Sequence, residues 1–152
     1  MILIYLARQG RLEWLRHITP QPVLVGRRCA AEVQYYTTPE GGRVPLDCSG
    51  LEGQGLLSIV ELADSELLAY VEIVNAAPKL GDETEGLAMA QSRGWRFVTT
   101  DGAALRFARE FMPTTEVLHL SELLVEIQGD GLLSGDEVER FLAGAMPGAR
   151  RP

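Results

Sequence analysis

Leu80-Gly-Asp-Glu-Thr-Glu-Gly-Leu-Ala-Met-Ala-Gln-Ser-Arg-Gly-Trp-Arg-Phe-Val-Thr-Thr-Asp-Gly-Ala-Ala-Leu-Arg106 is the stretch on which the reading of this chain turns. An acidic cluster opens an Ala-containing helix predicted over 82–93. Gly94 stops it, and the apolar run Trp95 to Thr99 reads as a strand delivering Thr99, Thr100 and Asp101 at its C-terminal end. A helix start and a strand end meet at one mouth in a parallel α/β sheet, which is where such sheets bind ligands.

Outward from this stretch the pattern keeps alternating. Before it, short strands are predicted at Val23 to Val25 and Leu56 to Leu62, and helices over 27–36 and 65–75. After it come a helix over 103–111, a strand over 116–118 and terminal helices over 122–127 and 137–145. Residues 2–17 read as one bent helix or two short ones interrupted at Gln9-Gly10. Thr37 to Gly55, rich in Gly, Pro, Ser and Asp, reads as a long surface excursion. Strands separated by helices imply an α/β protein with a parallel sheet covered on both faces. Ser134 and Glu137 have capping-box spacing.

At 152 residues the chain has the size of one domain, expected over 1–147 with a frayed tail at 148–152. No segment offers the roughly 20 apolar residues of a membrane span, so the expected location is cytoplasmic. Cys29 and Cys48 fit neither a disulfide framework nor a zinc pattern. The net charge of −7 argues against nucleic-acid binding over a broad basic surface. It does not argue against a nuclease, because part of an acidic balance can be an uncompensated metal site. Lys79 is the only Lys among 14 basic residues.

The candidate acids are Glu32, Glu83, Glu85 and Asp101. Carboxylate oxygens are what Mg²⁺ and Mn²⁺ prefer, and such ions neutralise a scissile phosphate and acidify an attacking water. Each acid also has a plainer role. Asp101 suits the N-cap of the following helix, Glu83 and Glu85 suit a first helical turn, and Glu32 suits a solvated helix face. Glu83 and Glu85 are two apart and point differently, so at most one is expected in a shared site. With only His17 and His119, a zinc site is not expected.

The acidic helix, the strand ending in Thr99-Thr100-Asp101 and the segment Val-Gly-Arg-Arg-Cys-Ala-Ala-Glu-Val around Glu32 resemble the PIN-domain family of metal-dependent ribonucleases, in particular its small prokaryotic members. The N-terminal helix pair and the closing segment from Leu123 add weaker matches. The resemblance implies a three-layer α/β/α sandwich around a central parallel sheet, and Mg²⁺ or Mn²⁺ held by Glu32, Glu85 and Asp101, with Glu83 in reserve. It further implies Thr99 and Arg106 as contacts to water or RNA phosphate, an RNA substrate, a role as the toxin of a toxin-antitoxin pair with an antitoxin partner, and a homodimer. The departure is at the start: the family's first strand and the Asp that ends it have no counterpart. A start placed too late, a truncation and a degenerate relative acting as a protein-interaction module are the three explanations, and the remaining acids favour the first. A calcium loop at Asp130 to Glu137 is the remaining alternative; its first half lacks the usual acids.

Overall fold

The computed structural model describes residues 2–19, 21–38, 40–129, 131 and 133–145. The expected frayed tail and the Asp130 and Leu132 part of the calcium-loop reading lie outside them. Helices α1 (Ile2–Arg8) and α2 (Leu15–Ile18) flank a short 3₁₀ turn at Leu12–Trp14. The break falls at Gly10, whose φ of +62° lies in the region that favours glycine. Strand β1 (Val23–Gly26) runs straight into α3 (Arg27–Glu32).

The structure corrects two expectations here. The helix predicted over 27–36 ends at Glu32, because Val33 turns inward to 2% exposure and the β-favouring Tyr35, Tyr36 and Thr37 leave as strand β2 (Tyr35–Thr37). The segment read as a surface excursion is ordered: β2 pairs antiparallel with β3 (Arg43–Pro45), and the Arg43 guanidinium lies over the Tyr35 ring, 3.1 Å from its centroid. Helix α4 (Cys48–Gly53) follows, with Asp47 Oδ1 accepting from the Gly50 N–H at 2.9 Å. Leu46, Cys48 and Leu51 are buried.

From there the elements follow the predicted order. They are β4 (Leu57–Val60), α5 (Leu67–Ala76), α6 (Glu83–Arg93), β5 (Phe97–Thr99), α7 (Gly102–Phe111), β6 (Val117–His119), α8 (Leu120–Gly129) and α9 (Gly135–Ala145). Gly94, at φ +64°, terminates α6 while the Trp95 N–H donates to the Ala90 carbonyl. Ser134 and Glu137 form the capping box of α9, with the Ser134 N–H and hydroxyl both donating to Glu137 Oε2 at 3.0 and 2.8 Å. That ties up the carboxylate a calcium loop would need.

The protein is therefore mixed α/β with short parallel pairs. Val23 to Gly26 run beside Leu57 to Val60, and Phe97 to Thr99 beside Val117 to His119. Two apolar clusters cover them. One gathers Leu6, Trp14 and Leu15 with Leu124 and Phe141, and it reaches Val25 and Leu57 on the strands. The other gathers Ile73, Leu87, Ala104 and Ala108 with Val117. The start of α5 is fastened to the end of α6 by Arg93, which is ion-paired with buried Glu66 and donates to the Glu61 carbonyl at 2.8 Å.

Candidate functional site

At the C-terminal end of β5, Thr99 is 1% exposed and its Oγ accepts from the Asp101 N–H at 2.9 Å. Asp101 caps α7: its Oδ1 accepts from the Ala103 N–H at 2.6 Å and the Ala104 N–H at 3.4 Å. Both amides converge on one of the two carboxylate oxygens. The Thr99 hydroxyl donates to Glu83, the first residue of α6. Burial, with the nearby charges of Asp101 and Asp82, pushes the Glu83 carboxyl above its ordinary value, and the Thr99 bond only partly offsets this.

Glu32 joins through a neighbour not singled out in the sequence. Asp82 stands at the N-cap position of α6 but makes no capping bond with its side chain. Instead the Asp82 and Glu32 carboxyls hydrogen-bond each other, which raises Glu32 above its ordinary value, with burial adding to it.

Glu85 is placed differently. It is 5% exposed, its Oε2 accepts from the Arg28 N–H at 3.3 Å, and it packs where a Cβ on Gly26 would fall. Burial raises its carboxyl too, against the Arg28 amide and charge. Thus Glu83, Thr99 and Asp101 stand together, with Glu32 linked through Asp82, while Glu85 braces the β1–α3 junction. Arg106, exposed on α7, lays its Nη1 within 3.4 Å of the position a Cβ on Gly102 would occupy, back toward the helix start. Arg28, which the sequence reading passed over, donates from Nη1 to the Tyr70 hydroxyl at 2.7 Å. Its only signal was its place in the strand-to-helix junction.

Cys29 lies beside these acids. Burial first, then the charges of Glu83 and Asp82, push its thiol up to about 12, which favours the thiol over the thiolate. The donors at the mouth are all hard oxygens, four carboxylates and a hydroxyl, a set that suits Mg²⁺ or Mn²⁺. Among the described residues no three His, Cys, Asp or Glu side chains already stand in metal-holding geometry. Glu83 instead takes the Thr99 hydroxyl, and Glu32 hydrogen-bonds Asp82. No helix among the described residues is long and apolar enough to cross a membrane. Comparison with known proteins finds no family model, no curated protein and no solved structure that matches the chain.

Proposed function

We propose that this protein is a metal-dependent ribonuclease of PIN type, hydrolysing RNA phosphodiester bonds in the cytoplasm as the toxin of a toxin-antitoxin pair. The observation that carries the reading is the convergence of Glu83, Thr99 and Asp101 at the ends of parallel strands, with the Glu32–Asp82 pair alongside. Carboxylate oxygens gathered with a hydroxyl beyond a strand end are a donor set that suits a divalent cation. A three-layer α/β/α sandwich is part of the proposal. Its support is that β1 packs against α2 and α6, and β5 against α8 and α6, helices drawn from both apolar clusters.

In this reading Glu83, Asp101 and Glu32 hold the ion, with Glu83 taking the place that the resemblance gives to Glu85. A bound Mg²⁺ or Mn²⁺ supplies charge neutralisation at phosphate and a more acidic water. Thr99 fixes the Glu83 carboxylate by donating to it and fixes the Asp101 backbone by accepting from it. Arg106 and Arg28 provide cationic contacts for phosphate on an otherwise acidic molecule. Glu85 acts on position, holding the Arg28 amide and the α3 start against α6.

Cleavage of a mixed structured RNA with Mn²⁺, stopped by EDTA and lost in Asp101→Asn, is the expected result. Cleavage retained in that variant would refute the assignment. A folded chain without metal binding or cleavage would instead support the degenerate, partner-binding reading.

A further inference from the structure

The β2–β3 hairpin has two unlike faces. Its register sets Tyr35 opposite Pro45, Tyr36 opposite Val44 and Thr37 opposite Arg43, and side chains alternate between faces along each strand. Tyr36 and Val44 therefore share one face; both are half-buried, Tyr36 against the apolar cluster that contains α1. Tyr35, Thr37, Arg43 and Pro45 share the other, and all four are exposed, Tyr35 at 42%. Across this outer face Arg43 reaches diagonally to lie over the Tyr35 ring, 3.1 Å from its centroid. Diagonal pairs of this kind steady a hairpin, and this one also holds a guanidinium and a ring in place before any ligand arrives. From α1, Arg8 donates Nε to the Thr37 carbonyl at 2.9 Å. Among the described residues neither Arg8 nor Arg43 has a carboxylate partner, whereas Arg11, Arg27, Arg93, Arg96 and Arg109 each have one. The charge of the chain is divided in the same sense. Residues 1–55 hold six Arg and five acids, net +1, while residues 56–152 hold eight basic and sixteen acidic residues, net −8.

We propose that this outer face is a platform for single-stranded RNA, on which one base stacks against the Tyr35–Arg43 pair while a neighbouring phosphate meets Arg8. That the ligand is RNA rests on the nuclease reading; that it is single-stranded rests on the hairpin. A ring and a guanidinium plane take the face of any unstacked base, and bases inside a duplex do not offer that face. An acidic peptide would meet a guanidinium along its N–H edge and make no use of the ring. The molecule has no broad basic surface, and Glu40 stands in the turn that joins the two strands, so stacking supplies what charge alone does not. The platform is also close to the mouth. Tyr35 follows Glu32 by three residues, which limits their Cα separation to about 11 Å, within the reach of one short oligonucleotide.

Equilibrium binding of a fluorescent oligouridine of about ten nucleotides, measured in EDTA at several salt concentrations, tests it. Tyr35→Leu keeps an apolar side chain but removes the ring, and it should weaken binding about 5- to 150-fold, while Tyr35→Phe binds as wild type does. Arg8→Gln and Arg43→Gln should each lower the slope of log affinity against log salt by about 0.7. The same sequence in duplex form should bind wild type and Tyr35→Leu alike. All these side chains are exposed, so the variants should stay folded, and crosslinking of 4-thiouridine RNA to the wild-type chain supplies a check that needs no variant: the adduct should fall within residues 35–45. No binding by wild type, a Tyr35→Leu protein that binds as tightly, or adducts confined to other segments would overturn the proposal. An oligoglutamate peptide that binds through Arg43 where RNA does not would overturn it as well, and would make the face a site for acidic protein. No metal is present in the assay, so binding can fail while cleavage stands, and cleavage can fail while binding stands.

Discussion

Asp101 has a structural role and a proposed chemical one, and two substitutions separate them. Asp101→Ala removes the Oδ1 that accepts from the Ala103 and Ala104 amides. Losing such a cap costs about 1 kcal/mol, and losing a negative charge at a helix N-terminus costs about 0.3 to 1 kcal/mol more. For a domain of this size about 1 kcal/mol moves the melting point by about 2 to 4 °C, so the alanine variant should melt about 3 to 8 °C lower. Asp101→Asn keeps an oxygen in the same place and forfeits only the charge, so its drop should be about 1 to 4 °C. The Asp101 N–H to Thr99 Oγ bond is main-chain on the donor side and survives both changes. Mn²⁺ binding should fall by about 100-fold or more in both variants, since neither leaves a carboxylate. Circular dichroism melts and Mn²⁺ calorimetry at pH 7 read the two effects. Equal melting points for the two variants would refute the capping argument, and wild-type Mn²⁺ affinity in Asp101→Asn would refute the chemical one.

Other perturbations report on other parts of the structure. Glu83→Gln should weaken Mn²⁺ binding by about 100-fold while Glu85→Gln leaves it near wild type; calorimetry giving the reverse order would restore Glu85 as the ligand. Gly26 has an ordinary φ of −59°, so Gly26→Ala carries no backbone strain, but its Cβ would press on Glu85 Oε2 and lie 3.1 Å from Glu85 Cδ and 3.3 Å from Met89 Cε. Overpacking of that kind costs about 1 to 3 kcal/mol, and an unchanged urea midpoint would mean that Glu85 is not seated there. Glu66→Ala should cost about 1 to 3 kcal/mol by removing the carboxylate that Arg93 pairs with. Because Arg93, and then the Ala63 amide, hold the Glu66 carboxyl below its ordinary value, this stability is complete above the unfolded pKa near 4.3. It is lost as pH falls through the lower folded value, so wild-type and variant melting points should converge in acid; a gap that persists there would show that packing, and not the charge pair, sets the cost.

The sequence determined the order of the elements from β4 onward and several helix ends, because those are local. Gly94 needed only its own φ to stop α6, Asp101 needed only two amides ahead of it to cap α7, and the Ser134–Glu137 box closes within four residues. Where a local pattern admitted two outcomes, the sequence reading erred. Residues 27–36 carry helical spacing and β-favouring residues together, and burial of Val33 with the pairing of Tyr35–Thr37 against Arg43–Pro45 decided for the strand. Tertiary structure alone decided the partners of the acids. Glu83 and Glu85 share one helical turn, yet Thr99 takes Glu83 while the Arg28 amide takes Glu85. Asp82 stands at the N-cap position of α6, yet its carboxyl meets that of Glu32, fifty residues away in the sequence. Side-chain type and spacing fix what a residue can bond to within a few positions. Which distant groups reach it depends on how strands and helices pack.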